Sequence, residues 1–308
     1  MSSKFANAAL SGKLTGKQAL EDMLSMTKEE AVESGVDIQD IKITELHEFK
    51  DHPFHVLDNE DMDLLVSSIR ENGIIVPILV RKRSLGGYEI ISGHRRTTAA
   101  KKAGLVSVPA IIQELSDDDA VICMVDANLQ RENILPSEKA KSMKQKLQAV
   151  KHKKASGAFD QFGQNFNARD LVAEEAGESS MQVQRYLRLN YLKKDLLDMV
   201  DSKKIGFNVG VNLSYLTQEQ QDIVVEAFVM GAPVPALKQS KELKRAGENG
   251  EFSNEIVKDI LLGNVTQNRK ITLGESIIKK YFDAGMDSEE IREIIISLID
   301  NWMKTKEG

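Results

Sequence analysis

The 308-residue chain is 41% hydrophobic and 29% charged, with a formal net charge of −6. That is enough apolar material for packed cores, and it excludes a disordered tail protein. The length points to two or three domains. No apolar run approaches the roughly 18 to 20 residues that span a bilayer, and the start, MSSKFANAALSGKLTGKQ, lacks the apolar stretch of a secretion signal, so a cytoplasmic protein without membrane partners is expected. The single cysteine, Cys123, excludes an internal disulfide, and no Cys/His cluster has zinc spacing. An acidic total can conceal a basic patch on one domain, so the patch has to be sought locally.

Residues 1–40 are rich in Ala, Ser, Gly and Lys and read as an N-terminal arm, with LTGKQALEDMLSM able to form one short amphipathic helix. A mixed domain follows over 41–135. IKITELHEF reads as a strand, and Asp58 or Asn59 caps a helix that buries Met62, Leu65 and Ile69 and stops at Gly73. ILVRK and YEIIS are strands flanking a Gly86-Gly87 turn. Gly93 opens a helix from His94 to Ala103, VPAII is a further strand, and Asp117 caps a helix running to about Glu132. Pro136-Ser137 marks the step into a wholly helical domain over 136–232. PVPALKQSKELKRAGENGEFSN, residues 233–254, has the Pro, Lys and Gly content of a mobile connection or a loosely packed helix, and 233–267 is taken as a linker. Over 268–308 the pattern ends in a helix capped by Asp287 or Ser288, with Ile291, Ile294, Ile295, Leu298, Ile299 and Trp302 on one face.

Between Ser137 and Val200 twelve Lys and Arg face eight acids, a local charge of +4 inside an acidic chain. Within that segment RDLVAEEAGESSMQVQRYLRLN has the spacing of two helices with a tight turn at Gly177. Leu171, Val172 and Ala173 face inward on the first helix, and Val183, Tyr186, Leu187 and Leu189 on the second. Ser179 or Ser180 caps the second helix. Ser180, Met181, Gln182, Gln184, Arg185 and Arg188 lie along its start and outer side, where a recognition helix meets base edges and phosphates. Gln184 suits adenine, and Arg185 suits guanine or phosphate. The plain alternative is a helical hairpin with a solvated charged face.

Two motifs in the mixed domain carry candidate chemistry. ISGHRRTTAAKKAG sets a glycine and two arginines at a strand-to-helix junction, where backbone N–H groups and guanidinium forks favour an anion such as phosphate. ANLQREN ends the next helix with Asn128, Gln130 and Arg131, offering amide oxygens and a further cation. Taken singly, each also reads as surface charge or a polar helix end.

The order ENGIIVPILVRK, YEIISGHRRTTAAKKAG, VPAII, ANLQREN and LPSEKA, then the helix pair and LRLNYLKKDLLDMVDSKKI, resembles the ParB/Spo0J chromosome and plasmid partition family over about residues 40–225. The resemblance implies an α+β N-terminal ParB/sulfiredoxin-like domain, an all-α helix-turn-helix DNA-binding domain and a short helical C-terminal dimerisation region. It implies a homodimer on a palindromic double-stranded DNA site, clamped shut by CTP with Mg²⁺, associated with the nucleoid and partnered by a ParA/Soj-type ATPase. By position, Gly93 would bring backbone N–H groups to the triphosphate, with Ser92, His94, Arg95, Arg96 and Thr97 around it. Asn128 would stand near phosphate and Mg²⁺, supported by Gln130 and Arg131, and Ser179, Ser180, Met181, Gln182, Gln184, Arg185 and Arg188 would face DNA.

His94 and Ala127 stand where the family usually has Glu. Without those carboxylates, groups that could hold Mg²⁺ or orient water are missing, which favours nucleotide binding over turnover and leaves CTP hydrolysis open. No arginine precedes Arg70, so Lys4, Lys13 or Lys17 would have to serve where such arms use a basic residue on the ATPase. A sulfiredoxin-type enzyme would need a reactive cysteine beside the first motif, whereas Cys123 reads as inert core. The competing use of the same parts is a nucleoid-occlusion-like or local transcriptional regulator. The last helix either packs within its own protomer or pairs with a second copy.

Overall fold

The structure is a computed structural model that describes residues 22–23, 25–54, 56, 58–129, 134–157, 167–263, 278, 280–282 and 286–306. It divides into two compact units, residues 1–264 and 265–308. In the first, α1 (Lys28–Glu33) is closed by a capping box in which Thr27 Oγ1 accepts from the Glu30 N–H and Glu30 Oε2 accepts from the Thr27 N–H. Met23, just before it, packs with Phe49, Phe54, Leu79 and Ile91. The arm expected over 1–40 thus does not extend to 40: Met23 and the capped helix are tied to the core, while residues 1–21 and 24 lie outside the described residues.

Five strands follow in a mixed sheet of order β1-β5-β3-β4-β2: β1 (Ile38–Lys42), β2 (Leu46–His47), β3 (Ile78–Lys82), β4 (Tyr88–Ser92) and β5 (Ser107–Ile112). β1/β5 and β3/β4 pair antiparallel, β3/β5 and β2/β4 parallel. The single strand expected over IKITELHEF is broken by a 3₁₀ turn at Ile43–Glu45, which lets the chain leave one edge of the sheet and form β2 at the other. The Glu45 carbonyl approaches so closely that a Cβ on Gly87 (φ +72°) would lie 2.6 Å from it, so glycine is required there.

Alternation along the strands feeds two cores. Ile78, Val80, Ile90, Val108 and Ala110 pack with α2 (Glu60–Asn72) and α3 (His94–Ala103). Leu79, Ile91 and Ile111 point the other way, onto Ala120, Cys123, Met124 and Val125 of α4 (Asp117–Leu129). Asn59, not Asp58, caps α2, and Gly73 and Gly104 end α2 and α3 at positive φ.

α5 (Pro136–Ala155) begins with proline at its first turn, where no N–H is needed. It leads to α6 (Ala168–Ala176), α7 (Ser180–Leu189), α8 (Lys194–Asp201), α9 (Phe207–Leu213), α10 (Gln218–Val229), α11 (Leu237–Glu248) and α12 (Asn254–Leu262). Leu243, Val257, Ile260 and Leu261 are buried in the same core as Leu189, Leu196, Leu213 and Val224. The segment expected as a linker from 233 is thus largely two helices of the helical domain, because its leucines and isoleucines recur at helical spacing among the lysines. The stretch VVEAFVM is core only in part: Val224 is buried, whereas Val229 and Met230 are exposed.

In the second unit α13 (Ser288–Lys306) is capped by Asp287, whose Oδ1 accepts from the N–H groups of Glu289 and Glu290 at 2.8 and 2.9 Å. Ile291 and Ile295 are half-buried, and Ile294, Leu298, Ile299 and Trp302 of its apolar face are exposed.

Candidate functional site

The first motif lies where β4 runs into α3. Gly93 takes φ +105°, and a Cβ there would sit 2.5 Å from Ile78 Cγ2, so the chain can make this turn against β3 only with glycine. No side chain caps α3. Its first-turn N–H groups therefore point out of the helix end with the positive end of the dipole behind them. Thr97 is buried, donates its hydroxyl to the Gly93 carbonyl at 3.2 Å, and braces the turn from inside. Ser92 and Arg95 are half-exposed beside it.

Two residues of this motif also make contacts within the domain. Arg96 Nη1 donates to the carbonyls of Val76 and Pro77, the latter at 2.7 Å. Part of its fork thus holds the approach to β3, leaving fewer donors for an anion. The His94 ring is 8% exposed and lies 3.9 Å from the His52 ring, tilted by 40°; with the ring turned inward, position 94 meets an anion chiefly through its backbone.

Asn128 is 3% exposed, and its amide nitrogen donates to the Met124 carbonyl at 2.7 Å. Gln130 and Arg131 lie outside the described residues. Among the described residues no three His, Cys, Asp or Glu side chains gather as a metal set. Asn128 offers one amide oxygen, which phosphate oxygens and water would complete around Mg²⁺. Cys123 is buried, and burial, then Asp126 and Asp119, push its thiol up to about 12, which removes it as a nucleophile.

α6 and α7 are joined by three residues. Gly177 ends α6 in the left-handed region, and Ser179 Oγ accepts from the Gln182 N–H at 3.1 Å, which makes Ser179 the cap. Val172, Ala173, Val183 and Leu189 are buried as expected, with Leu171, Tyr186 and Leu187 partly so. Met181, Gln184 and Arg185 are exposed, and Gln182 is half-exposed. Arg185 reaches Gln182 Oε1 only at 3.4 Å, a weak contact that a stronger acceptor would displace.

Sequence reasoning missed Arg169, whose Nε donates to Ser180 Oγ at 2.9 Å and whose Nη1 bonds Gln184 Oε1. Ser180 also bonds Asp170. Arg169 thus locks the start of α7 to α6 and orients Gln184; its place in the first turn of α6 was the available signal. Arg188, expected to face DNA, also makes contacts within the fold. It is half-buried, donates from Nε to Ser214 Oγ at 3.2 Å and from Nη2 to the Ser214 carbonyl, and lies 4.0 Å from the Tyr215 ring centre and 4.7 Å from that of Tyr191. Its role in the fold is to tie the end of α7 to the turn after α9.

α5 connects these parts. Gln145 Nε2 donates to the Asp51 carbonyl at 2.8 Å, in the loop that carries His52. The next residue, Lys146, fully enclosed, pairs with Asp126 of α4 and, at 2.7 Å, with Glu175 of α6. Asp126 stands two residues before Asn128.

Residues 26–129 match the ParB N-terminal domain model. The chain is 29% identical over 274 residues to the probable chromosome-partitioning protein ParB of Vibrio cholerae, covering 86% of this chain and 87% of that one. It is 33% identical over 205 residues to the probable chromosome-partitioning protein ParB of Neisseria meningitidis, 66% of either chain. A crystal structure of C-terminally truncated ParB from Caulobacter crescentus with the centromeric parS site aligns at 22% identity and a TM-score of 0.40, over 67% of this chain and 98% of that one.

Proposed function

This chain belongs to the ParB/Spo0J family, and from that premise we propose that it is a sequence-specific, centromere-binding partition protein whose hold on DNA is gated by CTP. The observation that carries the reading is the placement of α5, which contacts the loop under the first motif, the helix that bears the second, and α6 of the helix pair. A nucleotide settling at α3 and the end of α4 would thereby act on the element that supports DNA recognition.

In this reading the N–H groups after Gly93 and the Arg95 guanidinium receive the triphosphate, Arg96 keeps the Val76-Pro77 segment in place, and Asn128 closes the site from α4. CTP, when bound, would supply the negative charge these donors answer, and Mg²⁺ would neutralise part of it. The imidazole of His94 is packed on His52 and residue 127 is alanine, so binding and switching come before turnover. On the helix pair, Gln184, oriented by Arg169, and Arg185 face the bases. The apolar stripe of α13 pairs two copies on a palindromic site. The protein works on the nucleoid in the cytoplasm, with a ParA/Soj-type ATPase as partner.

Chromatin immunoprecipitation of the tagged chain in its host tests this directly. A zone of enrichment decaying over kilobases from one or a few sites supports a gated clamp; narrow peaks without spreading favour a local regulator. In vitro, Arg185→Ala should weaken specific more than non-specific DNA binding by roughly 1 to 3 kcal/mol. An equal loss on all DNA would make Arg185 a phosphate contact.

A further inference from the structure

We propose that the exposed face of α11 is a second DNA-backbone contact, continuous with the outer face of α7; this rests on the DNA-binding reading above and extends it to a surface outside the helix pair. Four cations and two acids lie on α11, whereas residues 201–236 and 249–263 around it carry three cations and seven acids. The positive charge of this part of the chain is therefore concentrated on one helix.

The orientation of that helix is fixed by what it buries. Ser240 and Leu243 are fully enclosed, Ser240 Oγ accepts from Asn212 Nδ2 at 2.9 Å, and Gln239 Nε2 donates to the carbonyls of Ile260 and Leu261 at 3.0 and 2.8 Å. Gly247 lies against Leu216 so closely that a Cβ would come within 2.6 Å of its side chain. Lys238, Lys241 and Arg245, spaced i, i+3 and i+7, are consequently exposed together on the opposite side.

Tyr215 joins this face to α7. Lys244 Nζ lies 3.5 Å from its ring centre and the Arg188 guanidinium carbon 4.0 Å from it. Two cations on one ring repel each other, and the ring's quadrupole offsets only part of that cost. Glu248, 3.7 Å from Lys244, is half-exposed and a weak counterion. A phosphate would complete the arrangement. The strip from Arg188 through Tyr215 and Lys244 to α11 is thus cationic and partly aromatic, and it lies beside the base-reading face of α7, not on it. Its fitting partner is the duplex backbone.

The test uses the full chain and two probes: a 40-base-pair duplex selected by the wild-type protein from a random pool, and the same duplex shuffled. Anisotropy titrations are run over a range of KCl concentrations. For K238Q/K241Q/R245Q the slope of log K against log salt should flatten by about 2 to 3, since each neutralised phosphate is worth about 0.9. Affinity should fall at least about tenfold on both duplexes, with their ratio kept. K238R/K241R/R245K should bind as the wild type does. An unchanged slope in the Gln variant, a collapse of the ratio without a change of slope, or equal loss in the charge-conserving variant would each overturn the proposal. A wild-type chain that selects no duplex would remove the DNA-binding reading itself, and this inference with it.

Discussion

Lys146 of α5 forms an ion pair with Asp126 of α4 while its side chain is fully withdrawn from solvent. Glu175 of α6 supplies a second carboxylate at 2.7 Å. A charge so enclosed is tolerable only when paired, and removing one partner strands the other in a poorly solvated place. Lys146→Met should therefore destabilise the chain by about 3 to 5 kcal/mol in urea unfolding. Lys146→Met combined with Asp126→Asn should recover part of that loss. A double variant no better than the single one would mean that the cost comes from the stranded Glu175 and not from Asp126.

Gly93 is the next point of sensitivity. Its φ of +105° and the 2.5 Å approach of Ile78 Cγ2 to a Cβ place strain and a clash on the same atom. Gly93→Ala should cost about 1 to 3 kcal/mol and shift the first turn of α3. Loss of binding to radiolabelled CTP should exceed what the drop in melting temperature explains. Gly104→Ala is the control: it also has positive φ but nothing within 4 Å of the added methyl, so it should cost stability and leave CTP binding intact.

Most helices and strands of the first domain and the α6/α7 pair could be read from the sequence because each rests on local signals: Gly73, Gly104 and Gly177 at helix ends, Ser179 at a helix start, and the short apolar runs of ILVRK and YEIIS on either side of Gly86-Gly87. What escaped depends on distant partners. Nothing in the pattern around Arg188 shows that Ser214 and Tyr215 arrive beside it, or that Val76 and Pro77 turn their carbonyls to Arg96. Lys146 reads as one more lysine in a basic helix until α4 and α6 close over it. The helices over 237–262 were masked by composition, since polar and charged residues outnumber the four apolar side chains, Leu243, Val257, Ile260 and Leu261, that the core buries.

Cys123 offers a readout of the core beneath the sheet. With its thiol pushed up to about 12 by burial and by Asp126 and Asp119, almost no thiolate exists at pH 8. Ellman's reagent should label the native chain no faster than it unfolds and label it at once in denaturant. Rapid labelling of the folded protein would show that α4 opens from the sheet on that timescale.

The contact between α4 and α5 should also carry an acid dependence. Burial raises the Asp119 carboxyl, but hydrogen bonds from Lys153 and Ser116 outweigh it and hold the group below the ordinary aspartate range. A depressed folded-state value means that its stabilisation is present above the unfolded value of about 3.9 and is lost as pH falls through the folded one. The stability gap between wild type and Asp119→Asn should be constant above about pH 5 and close as the solution is acidified. A gap that persisted at pH 2 would trace to packing, not ionisation.

Trp302 is the chain's single tryptophan and lies exposed on α13 with Leu298, Ile299 and Ile294. Four large apolar side chains on one face of a helix leave a surface that water hydrates poorly, and pairing two such faces removes it. Tryptophan emission should therefore shift to the blue as concentration rises and return to that of a hydrated indole on dilution, following the same curve as the sedimentation-derived dimer fraction. Leu298→Asp places a charge at the centre of the stripe while leaving the Asp287 cap untouched. That variant should sediment as a monomer with red-shifted emission at all concentrations and with weakened binding to a palindromic site, because a monomer engages one half-site at a time. A Leu298→Asp chain that still sedimented as a dimer would place the dimer contact elsewhere and leave the stripe to another partner.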